Sequence, residues 1–413
     1  MSLEFKGKYA DCIVYTDEVE EEAISQIYGF LNHSVFEGAN IRIMPDCHQG
    51  KGAVIGFTST LGDKIIPNVI GVDIACGVLC VELGHLEVDF AALDATIREH
   101  IPSGCNVRTK SVSRHILDKT YARVRKQLKL NCLSGECIDM ITKVCRNTKQ
   151  DPHRVINSLG TLGSGNHYLE VGECPDKIRY LSIHSGSRNF GLKIAQFHQT
   201  KAKNTNNYGE LSYLEGADAQ AYLEDMKVAQ MFAVWNRQIM AELITQHLGV
   251  NFEEYIESIH NYIDFERGVI RKGAVSAEKD QLLVIPWNMR DGFIIGKGKG
   301  NADWNYSAPH GAGRKMSRTV AKSTLSLEEF TNTMAGVWTS CINQGTLDEA
   351  PMAYKDCEKI EAYFEPSVEI ITRVKPLYNF KATDEKGWRE KKMADKERKQ
   401  KKLADANKGK ENE

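Results

Sequence analysis

The stretch Asn68-Val69-Ile70-Gly71-Val72-Asp73-Ile74-Ala75-Cys76-Gly77 decides how the rest of the chain is interpreted. It predicts a buried strand through its apolar residues, Val69, Ile70, Val72 and Ile74. Asp73 and Cys76 interrupt this run, although a core strand needs neither a carboxylate nor a thiol. A buried carboxylate is costly unless it is paired or binds a cation, and a cysteine becomes a metal ligand once a cation displaces its proton. For this stretch alone, a satisfied aspartate beside an inert cysteine is the simpler explanation.

Size and composition limit the possible functions. The 413 residues are enough for one large domain or two ordinary ones. The net charge of -2 excludes a generally basic nucleic-acid binder but leaves room for a local basic groove. The 11 cysteines are odd in number and scattered, which predicts reduced thiols. We find no signal-peptide pattern and no apolar run of about 18 residues, so we expect a cytoplasmic protein without a membrane anchor.

Further metal-ligand types lie where predicted strands begin or end. A glycine-rich turn from Leu159 feeds a strand on which Asn166, Tyr168 and Glu170 share one face and His167 takes the other. His184 ends a strand from Ile178, and His260 lies in a strand from Ile256 to Phe265. His167 alone is more simply explained as a histidine satisfied within the core. Together the set suffices for two cations sharing one cysteine, namely Asp73, Cys76, His167, His184 and His260. Ligand softness by itself favours zinc over manganese.

Other segments are suited to phosphate chemistry. The turn from His184 to Gly191 offers small residues and Arg188 to an anion, although such turns also serve as plain connections. Asp46 and His48 are predicted to lie on a turn, where a capping aspartate is an equal alternative. His310 precedes two glycines and a helix predicted from about Ala312, which would place Arg314 and Arg318 on one face. This histidine is a candidate nucleophile toward phosphorus, with a helix-capping turn as the alternative.

Five separated motifs resemble, in chain order, the signature segments of the RtcB family of RNA ligases. They are Gly71 to Gly77, Gly165-Asn166-His167, His184-Ser185-Gly186-Ser187-Arg188, His260-Asn261-Tyr262 and His310-Gly311-Ala312-Gly313-Arg314. The resemblance spans roughly Ile41 to Lys381, and five motifs in the right order are far more specific than one glycine-rich loop. The chain departs from the family pattern at Pro286-Trp287-Asn288-Met289-Arg290 and at Pro309, which indicates a divergent, bacterial-type member.

The resemblance implies a GTP- and Mn²⁺-dependent ligase. Such an enzyme joins an RNA 3′-phosphate or 2′,3′-cyclic phosphate end to a 5′-hydroxyl end in RNA repair or tRNA splicing. It works through a histidine-GMP intermediate and an activated RNA-3′-pp-G end. By the same resemblance, Cys76 would bridge two Mn²⁺ ions, with His167 and His184 completing one site and Asp73 and His260 the other. His310 would be the nucleophile.

We expect contacts with GTP from Asn166, Tyr168, Glu170, Asn261, Asn288, Gly311, Gly313, Tyr354 and Lys381. Candidates for contacts with RNA phosphates are Arg188, Lys272, Arg314 and Arg318. The physiological RNA, and any protein that activates the ligase, are left unidentified.

The expected fold is α+β, a single large RtcB-type domain over residues 1–381 with a β-rich, sandwich-like centre and surrounding helices. A helical excursion is expected over about 88–150. The spacing of apolar residues from Ala217 to Leu248 predicts one long helix, which is interpreted as scaffold. Residues 382–413 are predicted to form a charged tail, because lysine and glutamate dominate and apolar residues are sparse.

Two other functions are alternatives to the RNA ligase. A dinuclear metal phosphatase or nuclease acting on RNA ends would use the same ligands without forming a nucleotide adduct. A non-catalytic RNA-end binder would bind RNA equally well after Cys76→Ala. His310 separates the ligase from the first rival, because only a ligase needs a histidine that accepts GMP.

Overall fold

Within residues 2–382, which the computed structural model describes, helices and strands are mixed along the chain, and the predicted α+β class is confirmed. The strands are β1 Leu3–Lys6, β2 Asp11–Val14, β3 Ile41–His48, β4 Ile55–Thr60, β5 Gly77–Gly84, β6 Tyr168–Glu173, β7 Arg179–Ser185, β8 Ile256–Ile259, β9 Asn261–Asp264, β10 Val269–Lys272, β11 Ala274–Ser276, β12 Leu282–Pro286, β13 Phe293–Gly298, β14 Ser307–Pro309 and β15 Val368–Lys381. The helices are α1 Glu21–Leu31, α2 Pro67–Ile70, α3 Phe90–His100, α4 Arg114–Gln127, α5 Ser134–Asn147, α6 Pro152–Asn157, α7 Arg188–Thr205, α8 Gly216–His247, α9 Arg318–Thr324, α10 Leu327–Thr333 and α11 Cys357–Phe364. The tail predicted over 382–413 lies outside the described residues, apart from Ala382.

The centre of the protein is a seven-stranded antiparallel sheet in the order β12-β13-β15-β6-β7-β5-β8. Its two edge strands approach each other, and the Val284 amide of β12 donates to the Ser258 hydroxyl of β8 at 2.8 Å. The sheet is therefore nearly closed. A small apolar cluster that includes Val78 and Val284 fills part of its interior.

A second, six-stranded sheet has the order β1-β2-β3-β4-β10-β9. It is antiparallel except between β2 and β3, which run parallel. A two-stranded ribbon of β11 and β14 follows β10 in the chain and leads directly to His310. The residues that close the functional site therefore come from more than one sheet.

The long helix α8 is buried between these layers. It packs against α4 and α7 and against strands β5 and β7. Its buried residues occupy all sides of the helix and include Trp235, Asn236 and Arg237. A helix that is buried nearly all round belongs in a core, and its buried polar side chains need defined partners there. The partners of Asn236 and Arg237 lie at the functional site.

The segment predicted to be a helical excursion contains α3, α4 and α5. Its basic residues are not all solvent-facing, because Arg123 of α4 is buried and pairs with the buried Glu242 of α8 at 2.9 Å. Lys119 reaches the same carboxylate at 2.7 Å. These two cations fasten α4 to α8. None of the described helices is both long and apolar enough to cross a lipid bilayer.

The strand predicted over Asn68–Gly77 is wrong. Pro67 to Ile70 form one turn of helix, α2, and the chain then turns before β5 begins at Gly77. Pro67 occupies the first helical position, where its fixed φ suits a helix. Gly71 and Ala75 both have positive φ, +103° and 53°, which an extended strand cannot contain. Asp73 and Cys76 therefore lie on a turn and not within a strand.

Two other local predictions are corrected. Asp46 and His48 lie in β3 and not on a turn after it. No helix starts at Ala312, because Gly313 has a φ of +72° and its position faces the Asp46 carbonyl too closely for a side chain. Helix α9 begins instead at Arg318, after the Ser317 hydroxyl caps the Val320 amide.

Candidate active site and metal centre

The five predicted metal ligands converge, although they come from four separate parts of the chain. Asp73 and Cys76 lie on the turn before β5, and His167 immediately precedes β6. His184 is in β7, and His260 is the break between β8 and β9, which the sequence suggested as one strand. All except Asp73 are buried.

Their ligand atoms form one chain of short contacts. Cys76 Sγ lies 3.3 Å from His167 Nε2 and 3.2 Å from His184 Nε2. His167 Nε2 lies 2.8 Å from Asp73 Oδ2, and His184 Nε2 lies 3.3 Å from His260 Nε2. The atoms fall into two groups of possible cation ligands, Cys76 with His184 and His260, and Cys76 with Asp73 and His167. Cys76 belongs to both groups, while the assignment of each histidine to one cation stays a prediction.

Hydrogen bonds on the far sides of two rings fix their orientation. His167 Nδ1 donates to the Leu162 carbonyl at 2.8 Å, and His184 Nδ1 donates to the Asn166 carbonyl at 3.1 Å. Both rings therefore keep an Nε2 lone pair for a ligand, an arrangement usual in metal-binding histidines. His184 Nε2 and His260 Nε2 face each other, and His260 Nδ1 has no partner among the described residues that would fix its proton. A neutral His260 can therefore donate from Nε2 to His184, or the two lone pairs can bind a cation. The residues present thus fit a metal centre of mixed sulfur, nitrogen and oxygen donors.

Burial favours the neutral forms of the thiol and of two of the imidazoles. It raises the pKa of Cys76 well above its usual value, and the Asp73 carboxylate raises it further. Burial also lowers the pKa values of His184 and His260 well below the ordinary histidine value. The imidazoles of His184 and His260 are therefore in the neutral form that binds metals, and a cation must displace the thiol proton.

Helix α8 holds the turns that carry the ligands. Arg237 Nη1 donates to the Ala75 carbonyl at 2.8 Å, and it also reaches the Ser185 carbonyl at the end of β7. Asn236 Nδ2 donates to the Thr161 carbonyl at 3.1 Å and to the Gly186 carbonyl at 3.2 Å. The charge of Arg237 is balanced by the buried Glu257. These two neighbouring side chains join three ligand-bearing segments, and sequence analysis missed them because the helix was interpreted as scaffold.

His310 is oriented by a partner that the sequence did not pair with it. Its Nδ1 lies 2.6 Å from Asp46 Oδ2, and its backbone amide donates to the same oxygen at 3.2 Å. Asp46 is fully buried in β3. A carboxylate only accepts hydrogen bonds at neutral pH, so Nδ1 carries the proton and Nε2 keeps a free lone pair. The His310 ring centre lies 4.8 Å from that of His260, at the edge of the metal-ligand set.

A cavity of about 340 Å³ opens beside His310 and the metal ligands. All the residues predicted to contact the nucleotide line it, namely Asn166, Tyr168, Glu170, Asn261, Asn288, Gly311, Gly313, Tyr354 and Lys381. His48 also lines it, and burial lowers the pKa of this histidine to about 4. The sequence indicated His48 as a loop residue but gave it no role. The cavity has room for part of a nucleotide-sized ligand.

The buried carboxylate of Glu349 pairs with several cationic side chains in the wall of this cavity. Glu349 accepts from Arg318 at 2.6 Å, from Tyr354 Oη at 2.7 Å and from Lys381 at 2.9 Å. Arg314 Nη1 approaches it at 3.4 Å. Burial alone would raise the pKa of Glu349, but the charges of Lys381, Arg318 and Arg314 outweigh it and hold the pKa at about 2. The two arginines thus meet here even though no helix joins them.

The structure does not bring two of the predicted RNA contacts into the cavity. Arg188 points inward, where its Nη2 donates to the Gly104 carbonyl at 2.8 Å. Lys272 is buried, and its ammonium donates to the Asn68 carbonyl at 2.8 Å. Arg314 and Arg318 do line the cavity. No sequence pattern separates the two pairs, because all four cations lie near glycines in the chain.

Comparison with known proteins agrees with this geometry. The family model described as "tRNA-splicing ligase RtcB" matches residues 32–382. The RNA-splicing ligase RtcB of Escherichia coli strain K12 is 33% identical over 370 residues, covering 80% of this chain and 87% of that protein. The tRNA-splicing ligase RtcB of Aeropyrum pernix is 26% identical, covering 88% of this chain and 94% of its own length. The RNA-splicing ligase RtcB homolog 1 of Entamoeba histolytica is 25% identical, covering 81% and 79%. On the family match and the 33% identity, this chain belongs to the RtcB family.

Proposed function

We propose that this protein is a GTP-dependent RNA ligase that joins 3′-phosphate or 2′,3′-cyclic phosphate ends to 5′-hydroxyl ends. The observation that carries the proposal is the pairing of His310 with buried Asp46, beside the predicted metal ligands. A metal-dependent phosphatase or nuclease would use the cations without forming a nucleotide adduct on a histidine. A nucleotidyl-transferring ligase needs both the cations and the histidine.

The orientation of His310 determines which reaction steps it would perform. Its Nε2 would form a bond with the α-phosphorus of GTP, and pyrophosphate would leave. The Asp46 carboxylate would stabilise the positive charge that develops on the ring as the new P–N bond forms. The RNA 3′-phosphate would then take the GMP from Nε2, which restores the neutral imidazole. In the last step the RNA 5′-hydroxyl would attack the activated 3′-phosphate, and GMP would leave.

Two Mn²⁺ ions are the proposed metals, held by Asp73, Cys76, His167, His184 and His260. When bound, such cations neutralise charge on the triphosphate and on the RNA phosphate. Sulfur and imidazole ligands do not by themselves choose manganese over zinc, so the identity of the metal depends on the family resemblance. We also propose that the protein acts in the cytoplasm, where a ligand thiol such as Cys76 stays reduced.

Labelling with GTP tests the proposal directly. Purified protein is incubated with Mn²⁺ and GTP labelled at the α-phosphate, and protein-bound label is measured after denaturation. We expect label on the wild type and none on His310→Ala. His115→Ala is the matched control, because His115 is exposed on α4 outside the cavity, and it should be labelled normally.

A second assay measures the joining of RNA ends. A 3′-phosphate RNA and a 5′-hydroxyl RNA should be joined by wild type with GTP and Mn²⁺, and not by His310→Ala. A protein that removes the 3′-phosphate without GTP, and that never takes up label, would contradict the ligase and favour the phosphatase.

A further inference from the structure

Asn379 lies in the cavity wall and has no role in the proposed chemistry. It lies on β15 directly across from Glu170 on β6, and the two side chains are 1% and 3% exposed. Asn379 Nδ2 donates to Glu170 Oε2 at 2.7 Å. Both residues line the cavity, 209 positions apart in sequence.

The other amide atom of Asn379 is unpartnered. Its Oδ1 is buried and accepts no hydrogen bond from the described residues. Because Oδ1 is closed to solvent and unpaired, the one hydrogen bond that the Asn379 side chain makes with the described residues is the bond to Glu170. The amide therefore acts on that carboxylate.

The Glu170 carboxyl beside it is poised to change its charge. Burial raises the pKa of Glu170 to about 8, while the hydrogen bond from Asn379 and the charge of Lys381 lower it. The other titratable groups near it are Tyr168 on its own strand and Cys80 on β5, both neutral because burial raises their pKa values. Asn379 therefore favours the ionised carboxylate, which only accepts hydrogen bonds.

The ionised Glu170 carboxylate presents two neighbouring acceptors, its two oxygens, to a ligand. Guanine carries two adjacent N–H donors, on N1 and on its 2-amino group, and so matches a row of acceptors. Adenine offers an acceptor at N1 on the same edge, which would face a carboxylate and leave it unpaired. A site built to receive N–H donors rejects a ligand that lacks them much more strongly than an apolar pocket rejects a change in size.

We propose that Asn379 is a positioning residue for recognition of the nucleotide base. Its amide holds the Glu170 carboxylate as an acceptor, and that carboxylate selects guanine over adenine. This inference rests on the proposed function, because it takes the cavity as the GTP site.

Binding of nucleotides to the full chain tests the role of Asn379 without catalysis. The His310→Ala protein, which cannot form the adduct, is titrated by calorimetry with GTP, ITP and ATP in the presence of Mn²⁺. ITP lacks the 2-amino group and separates that donor from N1–H. The same titrations are made after adding Asn379→Ala. Lys375→Ala is the control, because Lys375 is exposed on the same strand and does not line the cavity.

We expect Asn379→Ala to weaken GTP binding about 10- to 100-fold and ATP binding less than about twofold, the size of a lost hydrogen bond to a charged group. The preference for GTP over ITP should shrink as well. The pH above which GTP binds should move upward, because Glu170 has lost a donor to its ionised form. The Lys375→Ala control should match the reference protein in each titration.

An equal loss of affinity for GTP and ATP, with an unchanged pH profile, would show that Asn379 is only structural and would overturn the inference. Thermal unfolding identifies a variant that has not folded, in which case Asn379→Ser, with a smaller change in volume, provides the same comparison. If the wild type binds GTP and takes up label but Asn379 variants keep full selectivity, only this inference fails. If the wild type takes up no label, the proposed function fails first.

Discussion

At the scale of single residues, the pairing of Asp46 with His310 makes the clearest prediction about catalysis. Asp46→Asn keeps the size of the side chain but removes the charge that faces His310 Nδ1. We expect adduct formation to slow by at least about 100-fold, in the range found for groups that orient or charge-stabilise a catalytic histidine. The measurement is the rate of labelling by α-labelled GTP under single-turnover conditions.

The control for this variant is Asp89→Asn. Asp89 caps the start of α3, where asparagine serves almost as well, so labelling should be unchanged. Asp46→Asn should also unfold at nearly the same temperature as wild type. Labelling of Asp46→Asn at the wild-type rate would show that His310 does not need this carboxylate.

Lys272 gives a prediction about stability and pH. Burial lowers the pKa of this lysine to about 7, against 10.5 for the ordinary side chain. Between these values the unfolded chain binds a proton that the folded protein does not. The free energy of unfolding therefore gains a contribution that rises with pH over this window and is lost as the pH falls toward 7.

Lys272 alone can change the free energy of unfolding by at most about 1.4 kcal/mol per pH unit. Lys272→Met removes the titrating group, so its free energy of unfolding should change less steeply with pH than that of wild type. Urea unfolding at several values between pH 7 and pH 10 measures both slopes. The exposed Lys375→Met serves as control and should keep the wild-type slope. Parallel slopes in wild type and Lys272→Met would mean that Lys272 titrates normally.

At the scale of elements, the turn after β7 sets the position of a metal ligand. A side chain at Gly186 would place its Cβ 2.2 Å from Asp73 Oδ1. Because that atom is the end of a side chain, Asp73 can rotate away at little cost to the fold. Gly186→Ala should therefore unfold within a few degrees of wild type but bind Mn²⁺ about 10- to 100-fold more weakly, as when a metal site loses one defined contact.

Gly29→Ala is the matched control, since nothing lies within 4 Å of a Cβ at this helix position. Calorimetric titration with Mn²⁺ and thermal unfolding of metal-free protein measure the two effects separately. Unchanged Mn²⁺ affinity in Gly186→Ala would indicate that Asp73 is not a ligand.

Elements with strong periodicity could be predicted from the sequence, and elements that depend on distant contacts could not. The helix predicted from Ala217 to Leu248 is α8, Gly216–His247, because apolar residues recur along its whole length. The strand predicted through Asn68 fails because a short apolar run fits a buried helix turn equally well. The turn that replaces it depends on Arg237, 162 residues from Ala75 in sequence.

For the site as well, only part could be predicted from the sequence. Metal ligands and cavity residues could be named because their motifs are local, but their partners could not. Asp46 and His310 are 264 residues apart, and Asn379 and Glu170 are 209 apart. Such pairs follow from strand order and register, which the local pattern of either strand does not contain. The inward contact of Arg188 and the burial of Lys272 were missed for the same reason.

At the scale of the whole molecule, the functional site includes the end of the last strand, β15. Lys381, the last residue of β15, lines the cavity and pairs with Glu349 at 2.9 Å. The family match ends at residue 382. We therefore propose that residues 1–381 form the ligase domain and that the charged sequence beyond it is not needed for the central reaction.

A chain that ends after Ala382 tests this proposal. It should unfold within about 2 °C of the full-length protein and take up label from GTP at a similar rate, because β15 and its pairing with β6 and β13 are retained. A second truncation after Asn379 is the informative comparison. It removes Lys381 and with it the cation that faces Glu349 and Glu170, so label uptake should fall at least tenfold even where the protein still folds. If the chain ending at Ala382 lost labelling as completely as the shorter one, the domain would have to extend into the charged segment. Equal labelling by both truncations would instead remove Lys381 from the nucleotide site.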